Sequence, residues 1–298
     1  MTNIRVTELS RQTAHVRYIT TAQAKLDKTQ EQLSTSRRIT QASDDPAGTA
    51  LALRHRDDLE FETQMRRNLE NGTAFMNITE AALNGATETI QRIRELTVQA
   101  SSDTLSPTDR LAIAREVDEL TRHIAQVANT NFGGAYIFSG HQTKTPAYSV
   151  VGNPPTAITY QGDAGQRTRR VSKTDVVAVN VTGPNVFGAA FTDLIQLRTD
   201  LEAGAPVATI SSHLSKIDKI LDGVLAARAD IGARINRFDA VMRQSEQTDI
   251  NLQELRSKIE EPDLAQTILQ MQQQSRALEA ALGAIGRTAN MTLLNFLR

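Results

Sequence analysis

Apolar residues recur at alternating spacings of three and four along most of this chain, and the breaks in that pattern delimit its predicted helices. The first runs from Glu8 to Thr35 on the seam Leu9, Gln12, Val16, Ile19, Gln23, Leu26, Gln30, Leu33. Three of those eight positions are Gln, so the stripe is thin, and a helix of this length would be marginal alone in water. A polar link, Ser36 to Asp45, comes next. Asp45-Pro46 then reads as an N-cap with Pro at the first helical position. From Pro46 to Ala100 there is no further proline. Met65, Leu69, Met76, Leu83, Ile90 and Ile93 keep heptad spacing there, with Gly72, Thr79 and Ala86 as the small residues between them. Ser106-Pro107-Thr108-Asp109 repeats the cap and opens a helix to about Asn129, with the seam Ile113, Val117, Leu120, Ile124, Val127.

The longest run lies between Ile210 and Ile259. Fifteen positions alternate by four and three, and eleven are apolar, among them Ile231, Ile235, Phe238 and Met242. The exceptions are Arg228, Ser245, Asp249 and Arg256. Pro262 breaks the run. A final helix carries Leu264, Ile268, Met271, Leu278, Leu282, Ile285 and Ala289, and the chain closes on Leu293-Leu294-Asn295-Phe296-Leu297-Arg298.

Between these helices the composition changes. Residues 132–191 hold seven of the twelve aromatics, eight of the sixteen glycines and four of the eight prolines. That mixture predicts short strands and turns, including a hairpin pairing Ile158-Thr159-Tyr160 with Arg169-Arg170-Val171. The fold class is therefore mainly α with a small β-rich insert: an elongated antiparallel helical bundle or coiled coil carrying an outer β domain. Helices 46–100 and 206–259 match in length, each spanning ~80 Å at 1.5 Å per residue, which favours an antiparallel pair with 107–129 alongside. The expected division is 1–40 with 260–298 as a terminal coiled coil, 41–131 with 190–259 as a helical bundle, and 132–189 as the β domain.

Charge narrows the function. There are 33 Lys+Arg against 34 Asp+Glu in 298 residues, a formal net charge of −1, which argues against nucleic acid and against a polybasic membrane anchor. No apolar run approaches a membrane span, and the first residues lack the apolar core of a cleaved secretory signal. Without Cys, disulfides and thiol chemistry are excluded. His15, His55, His123, His141 and His213 stand apart from one another, which favours satisfied surface residues over metal ligands. The Phe132-Gly133-Gly134 and Tyr160–Gly165 stretches are turns rather than phosphate loops, and Arg167, Arg169 and Arg170 read as a solvated strand face. Asp44-Asp45 fits helix capping better than acid–base work. No catalytic constellation, cofactor site or metal site emerges. What remains is a weak apolar stripe at each end, in phase over several heptads, which points to assembly.

Specific segments carry a resemblance. Leu33-Ser34-Thr35-Ser36-Arg37-Arg38-Ile39 followed by Ala42-Ser43-Asp44-Asp45-Pro46-Ala47-Gly48 resembles the N-terminal motif of bacterial flagellins, with Ser36 where glycine is usual. Gln91–Ala100, Ile231–Phe238 (Gly232-Ala233-Arg234-Ile235-Asn236-Arg237) and Ala284–Leu297 are similar to further segments of that family. In the middle, Gly134-Ala135-Tyr136-Ile137-Phe138-Ser139-Gly140, Tyr160–Arg167 and Val186-Phe187-Gly188 resemble its hook–filament junction branch, the hook-associated protein 3 group. The resemblance implies a structural, non-enzymatic subunit exported by the flagellar type III apparatus without a cleaved signal. Such a subunit forms a ring between hook-associated protein 1 and flagellin, outside the cell. Its C-terminal helix would be held by an export chaperone beforehand, masking Ile285, Leu293, Leu294 and Phe296. Leu9, Val16, Ile19, Leu26 and Leu33 should then face Leu278, Leu282, Ile285, Leu293 and Leu294 in a terminal coiled coil ordered on assembly. Arg38, Ile39, Asp44, Asp45, Pro46 and Gly48 should fix the bend, and Ile231, Ile235 and Phe238 should be bundle core. The alternatives are a flagellin filament subunit and, from another class, a signalling or scaffolding coiled coil.

Overall fold

The computed structural model describes residues 8–296, with side chains described for residue 10 and residues 13–286. It is built from α1 (Glu8–Thr35), α2 (Pro46–Ala100), α3 (Pro107–Ala128), six short strands, α4 (Gly183–Phe187), α5 (Ala190–Glu202), α6 (Val207–Glu260) and α7 (Leu264–Phe296). The strands are β1 (Asn131–Phe132), β2 (Ala135–Tyr136), β3 (Tyr148–Val151), β4 (Ala157–Tyr160), β5 (Thr168–Arg170) and β6 (Val176–Ala178). Proline and its caps set the boundaries: Asp45 before Pro46, and Ser106 before Pro107, where the Ser106 Oγ accepts from the Asp109 N–H at 3.2 Å.

The chain divides into two compact units. One combines the chain up to Phe61 with that from Gln247, and the other spans Glu62–Glu246. Within the second unit α2 supplies an unbroken buried stripe. Met65, Leu69, Gly72, Met76, Thr79, Leu83, Ala86, Ile90, Ile93, Thr97 and Ala100 are all buried. The buried threonines satisfy their hydroxyls on the preceding turn, Thr79 on the Phe75 carbonyl at 2.9 Å and Thr97 on that of Ile93 at 2.7 Å. α6 runs antiparallel to α2, as Ser245 to Glu62, Arg228 to Glu80 and Arg94 to Asp218 show. Only every second seam position of α6 is fully covered: Ile210, Ile217, Val224, Ile231, Phe238 and Ser245 are buried, whereas Leu214, Leu221, Arg228, Ile235 and Met242 are half-buried. The polar seam residues are not defects. Ser245 donates to the Glu62 carboxylate at 2.6 Å, and Arg228 pairs with Glu80 at 2.7 Å.

Three features depart from the sequence reading. The strands form three separate antiparallel hairpins, β1–β2, β3–β4 and β5–β6. Residues 158–160 therefore pair with 148–150 and not with 169–171, because Tyr148, Tyr160, Phe187 and Phe191 gather in one aromatic cluster with Tyr148 at its centre, 4.7 Å from Phe191 and 5.3 Å from Tyr160. Burial pushes the Tyr148 phenol up from its ordinary pKa. His213 is not a surface residue: it is 2% exposed on α6, with Nε2 2.7 Å from Asp200 Oδ2 of α5. Arg167 is half-buried, its guanidinium stacked 4.8 Å above the Phe75 ring rather than solvated on a strand face.

Candidate assembly site

The terminal unit brings α1 and α7 against each other. The seam predicted for α1 is only partly covered there. Ile19, Leu26 and Leu33 are half-buried, whereas Val16 is 57% exposed. On α7, Leu278 is buried, Ile285 is half-buried and Leu282 is 50% exposed. Leu9, Leu293, Leu294 and Phe296 lie outside the described side chains. Among the described side chains of α1 the best covered is instead Thr29, whose Oγ1 lies 2.8 Å from Gln274 Oε1 of α7 and 2.9 Å from the Lys25 carbonyl. An apolar pattern search passes over such a pair, since both partners are polar and only the cross-helix bond makes their burial tolerable.

The same unit keeps large apolar side chains in solvent: Tyr18 on α1, Leu51 and Leu53 on α2, Ile250 and Leu255 on α6, and Leu264, Ile268, Leu269 and Leu282 on α7. Together they leave the terminal unit an apolar surface open to contact.

The link from α1 to α2 holds the predicted bend residues together. Ser36 turns the chain with φ 52°, the one non-glycine residue with positive φ among the described residues. Asp44 Oδ2 accepts from the N–H groups of Thr40 and Gln41 at 3.2 and 3.1 Å, while its Oδ1 takes the Lys28 ammonium at 2.6 Å. The Lys28 bond first, and then the backbone donors, hold the Asp44 carboxyl well below the usual range. Asp45 Oδ1 caps α2 by accepting from the Gly48 N–H at 2.8 Å. That bond, ahead of the Arg38 guanidinium at 3.1 Å, lowers its pKa as well. Gly48 leaves no room for a larger residue: a Cβ would meet the Asp45 carboxylate and the Ile39 side chain. Arg38 also donates to the Ile259 carbonyl, and Arg56 pairs with Glu260 at 2.5 Å. In the other unit, Ile231 and Phe238 are buried and Ile235 is half-buried.

Among the described residues, no group of three or more acidic or histidine side chains is placed to hold a metal ion, and no helix is long and apolar enough to cross a membrane. The arrangement offers packing surfaces and helix caps.

Comparison with known proteins agrees with that character. Residues 6–143 match the bacterial flagellin N-terminal helical region, and residues 214–297 match the C-terminal helical region. The flagellar hook-associated protein 3 of Escherichia coli (strain K12) is 27% identical over 308 residues, covering 94% of this chain and 95% of that protein. Flagellin FlaB1 of Treponema pallidum (strain Nichols) is 27% identical over 271 residues, covering 90% of this chain and 91% of its own. Among solved structures, the flagellar hook associated protein-3 of Legionella pneumophila superposes with a TM-score of 0.64 at 18% identity, over 69% of this chain and 98% of that one. FlgL of Bacillus cereus gives 0.60 at 20% identity, over 68% and 99%. At those identities the superpositions establish the fold. With both terminal helical regions matched over well more than half of its residues, this chain belongs to the bacterial flagellin family, as a structural component of the flagellum.

Proposed function

We propose that the chain is the subunit that joins hook to filament rather than the subunit that forms the filament. The observation that carries this reading is the way two segments of the insert interlock. The Tyr160 hydroxyl donates to the Phe138 carbonyl at 3.0 Å, the Asp163 N–H donates to the Ser139 carbonyl at 3.2 Å, and the His141 N–H donates to Asp163 Oδ1 at 2.7 Å. These are the two stretches, Gly134–Gly140 and Tyr160–Arg167, whose residues resemble the junction branch. The match to the Escherichia coli hook-associated protein 3, 27% identical over 94% of this chain, supports the same reading.

In this role copies of the chain associate into a ring, with hook-associated protein 1 on one side and flagellin on the other. The subunit is exported through the flagellar type III apparatus, with an export chaperone on the C-terminal helix until then, and it acts outside the cell. The free α1–α7 pair is marginal, and burial of its exposed flanks against neighbouring copies completes its order. Residues 1–40 with 260–298 form the inner layer, 41–131 with 190–259 the bundle around it, and 132–189 the outer domain. Arg38, Ile39, Asp44, Asp45, Pro46 and Gly48 set the bend between the first two.

Two experiments test the assignment. Cells lacking the gene should assemble hooks without filaments and release flagellin into the medium. The purified chain, seeded on filament fragments, should not elongate them. Growth of long filaments from the pure protein would instead make it a filament subunit.

A further inference from the structure

A cavity of about 290 Å³ opens between α6 and two stretches of the insert, residues 164–166 and 180–185. Its floor on α6 is small and apolar, formed by Gly223, Ala226 and Ala227. Gly223 lets the backbone of α4 come close, since a Cβ there would stand 3.1 Å from the Val186 carbonyl oxygen. Hydrogen bonds fix the walls. Arg234 Nη1 donates to the Ala178 and Asn180 carbonyls at 2.9 and 3.1 Å, which holds the chain leaving β6 against α6. Asn180 is 4% exposed, and its side chain is fully used: Oδ1 accepts the Arg167 N–H at 2.7 Å and Nδ2 donates to the Gly165 carbonyl at 2.9 Å. One buried amide thus joins the two stretches, so the cavity is formed before anything enters it.

The remaining polar groups set the chemistry. Thr182 is 6% exposed and precedes α4, yet its hydroxyl does not cap that helix. The hydroxyl is not sealed away from solvent, and Thr182 lines the cavity, so the cavity is where it can find a partner. The exposed Gln166 and Asn185 bring two side-chain amides to the same space. Asp230 and Arg234 neutralise each other through bonds of 3.2 and 2.5 Å. The lining therefore carries no net charge, and an ionic ligand would have to compete with that pair. A hydroxyl and an amide each donate and accept. Ligand hydroxyls also do both, and the alanine floor suits the C–H face of a ring. The volume stands at the small end of ligand pockets, near ~300 Å³, which is room for a single ring.

We propose that this cavity binds one ring of a neutral sugar, with the Thr182 hydroxyl as the buried anchor. Asn185 and Gln166 pair with the outer hydroxyls, and Ala226 and Ala227 lie under the ring. The inference rests on none of the contacts that carry the junction reading, and its failure would leave that reading standing.

The test is saturation-transfer NMR on the full chain near pH 7, with D-glucose, D-galactose and N-acetylglucosamine as probes and acetate and ethylamine as charged controls. At least one sugar should bind with a dissociation constant on the order of 1–10 mM, as suits a small open site. Thr182→Val should weaken that binding about fivefold, the share of one hydrogen bond. The same variant should keep or raise the thermal midpoint, because the hydroxyl it removes has no partner in the unliganded chain. Ala227→Phe should fill the floor and abolish binding. Asn185→Ala, at an exposed position, should weaken binding and keeps the test decisive should the Phe variant fold poorly. Absence of transfer to all three sugars, a charged control that binds more tightly than they do, or undiminished sugar binding in Thr182→Val and Asn185→Ala would each overturn the proposal.

Discussion

Gly72 of α2 lies against the edge of the Phe238 ring on α6, so that a Cβ at position 72 would come within 2.5 Å of Cε1. Phe238 is wholly buried, and Gly72 is buried. The heptad pattern in α2 therefore has its hole where α6 has its largest knob. Gly72→Ala should gain helix propensity worth up to ~1 kcal/mol but lose more by overpacking, roughly 1–3 kcal/mol. Phe238→Ala should cost about 3–5 kcal/mol through the cavity it leaves. Thermal unfolding followed by circular dichroism at 222 nm tests both, and an unchanged or raised midpoint for Gly72→Ala would show that the ring moves aside freely.

Ser36 occupies a left-handed conformation that ordinarily suits glycine. A side chain there costs roughly 1–2 kcal/mol, from which the extra unfolded-state freedom of glycine subtracts part. Ser36→Gly should therefore stabilise the terminal unit by about 0.5–1 kcal/mol. Denaturant titration is the check, and destabilisation would mean that the serine contributes a compensating interaction.

The Asp44 and Asp45 carboxyls are both held below their ordinary values. Groups whose pKa is depressed on folding contribute stability above the unfolded pKa, near 4, and lose it as pH falls through the folded values. The link from Ser36 to Asp45 should thus be intact at pH 7 and loosen as pH drops below about 4. Limited proteolysis by an acid-active protease should show earlier cleavage in that link at pH 3 than at pH 5. Asp44→Asn should flatten the difference, and equal cleavage at the two pH values would contradict the linkage.

The exposed flanks of α7 should matter for assembly and not for the subunit. Leu269 and Leu282 are 58% and 50% exposed. Replacing either with Glu should shift subunit stability by no more than about 0.5 kcal/mol. In cells the same variants should abolish filament attachment and swimming. Normal motility with Leu269→Glu and Leu282→Glu together would remove these residues from the assembly surface.

The long helices were legible along the chain, because proline, capping residues and heptad spacing are local signals that no packing arrangement here overrides. Asp45-Pro46 and Ser106-Pro107 mark helix starts found at those residues, and the break at Pro262 separates α6 from α7. The glycine-rich, aromatic middle was legible as strands, and the resemblance of Leu33–Gly48 pointed to the family. Strand pairing was not legible: Tyr160 pairs with Tyr148 because an aromatic cluster gathers both, and that choice depends on α4 and α5 arriving from later in the chain. Helix α5 buries the short seam Ala190, Leu194, Leu197 and Leu201, but nothing local says that α6 lies against it, so the burial of His213 there, beside Asp200, was hidden too. The contacts around Arg38 were half legible. Asp45 could be read as a cap from its neighbours, but the partners of Arg38 at Ile259 and Glu260 stand more than two hundred residues away. Local patterns specify where an element begins and which face is apolar. Which polar group closes which helix end is decided by tertiary proximity, since any donor brought within reach serves equally well.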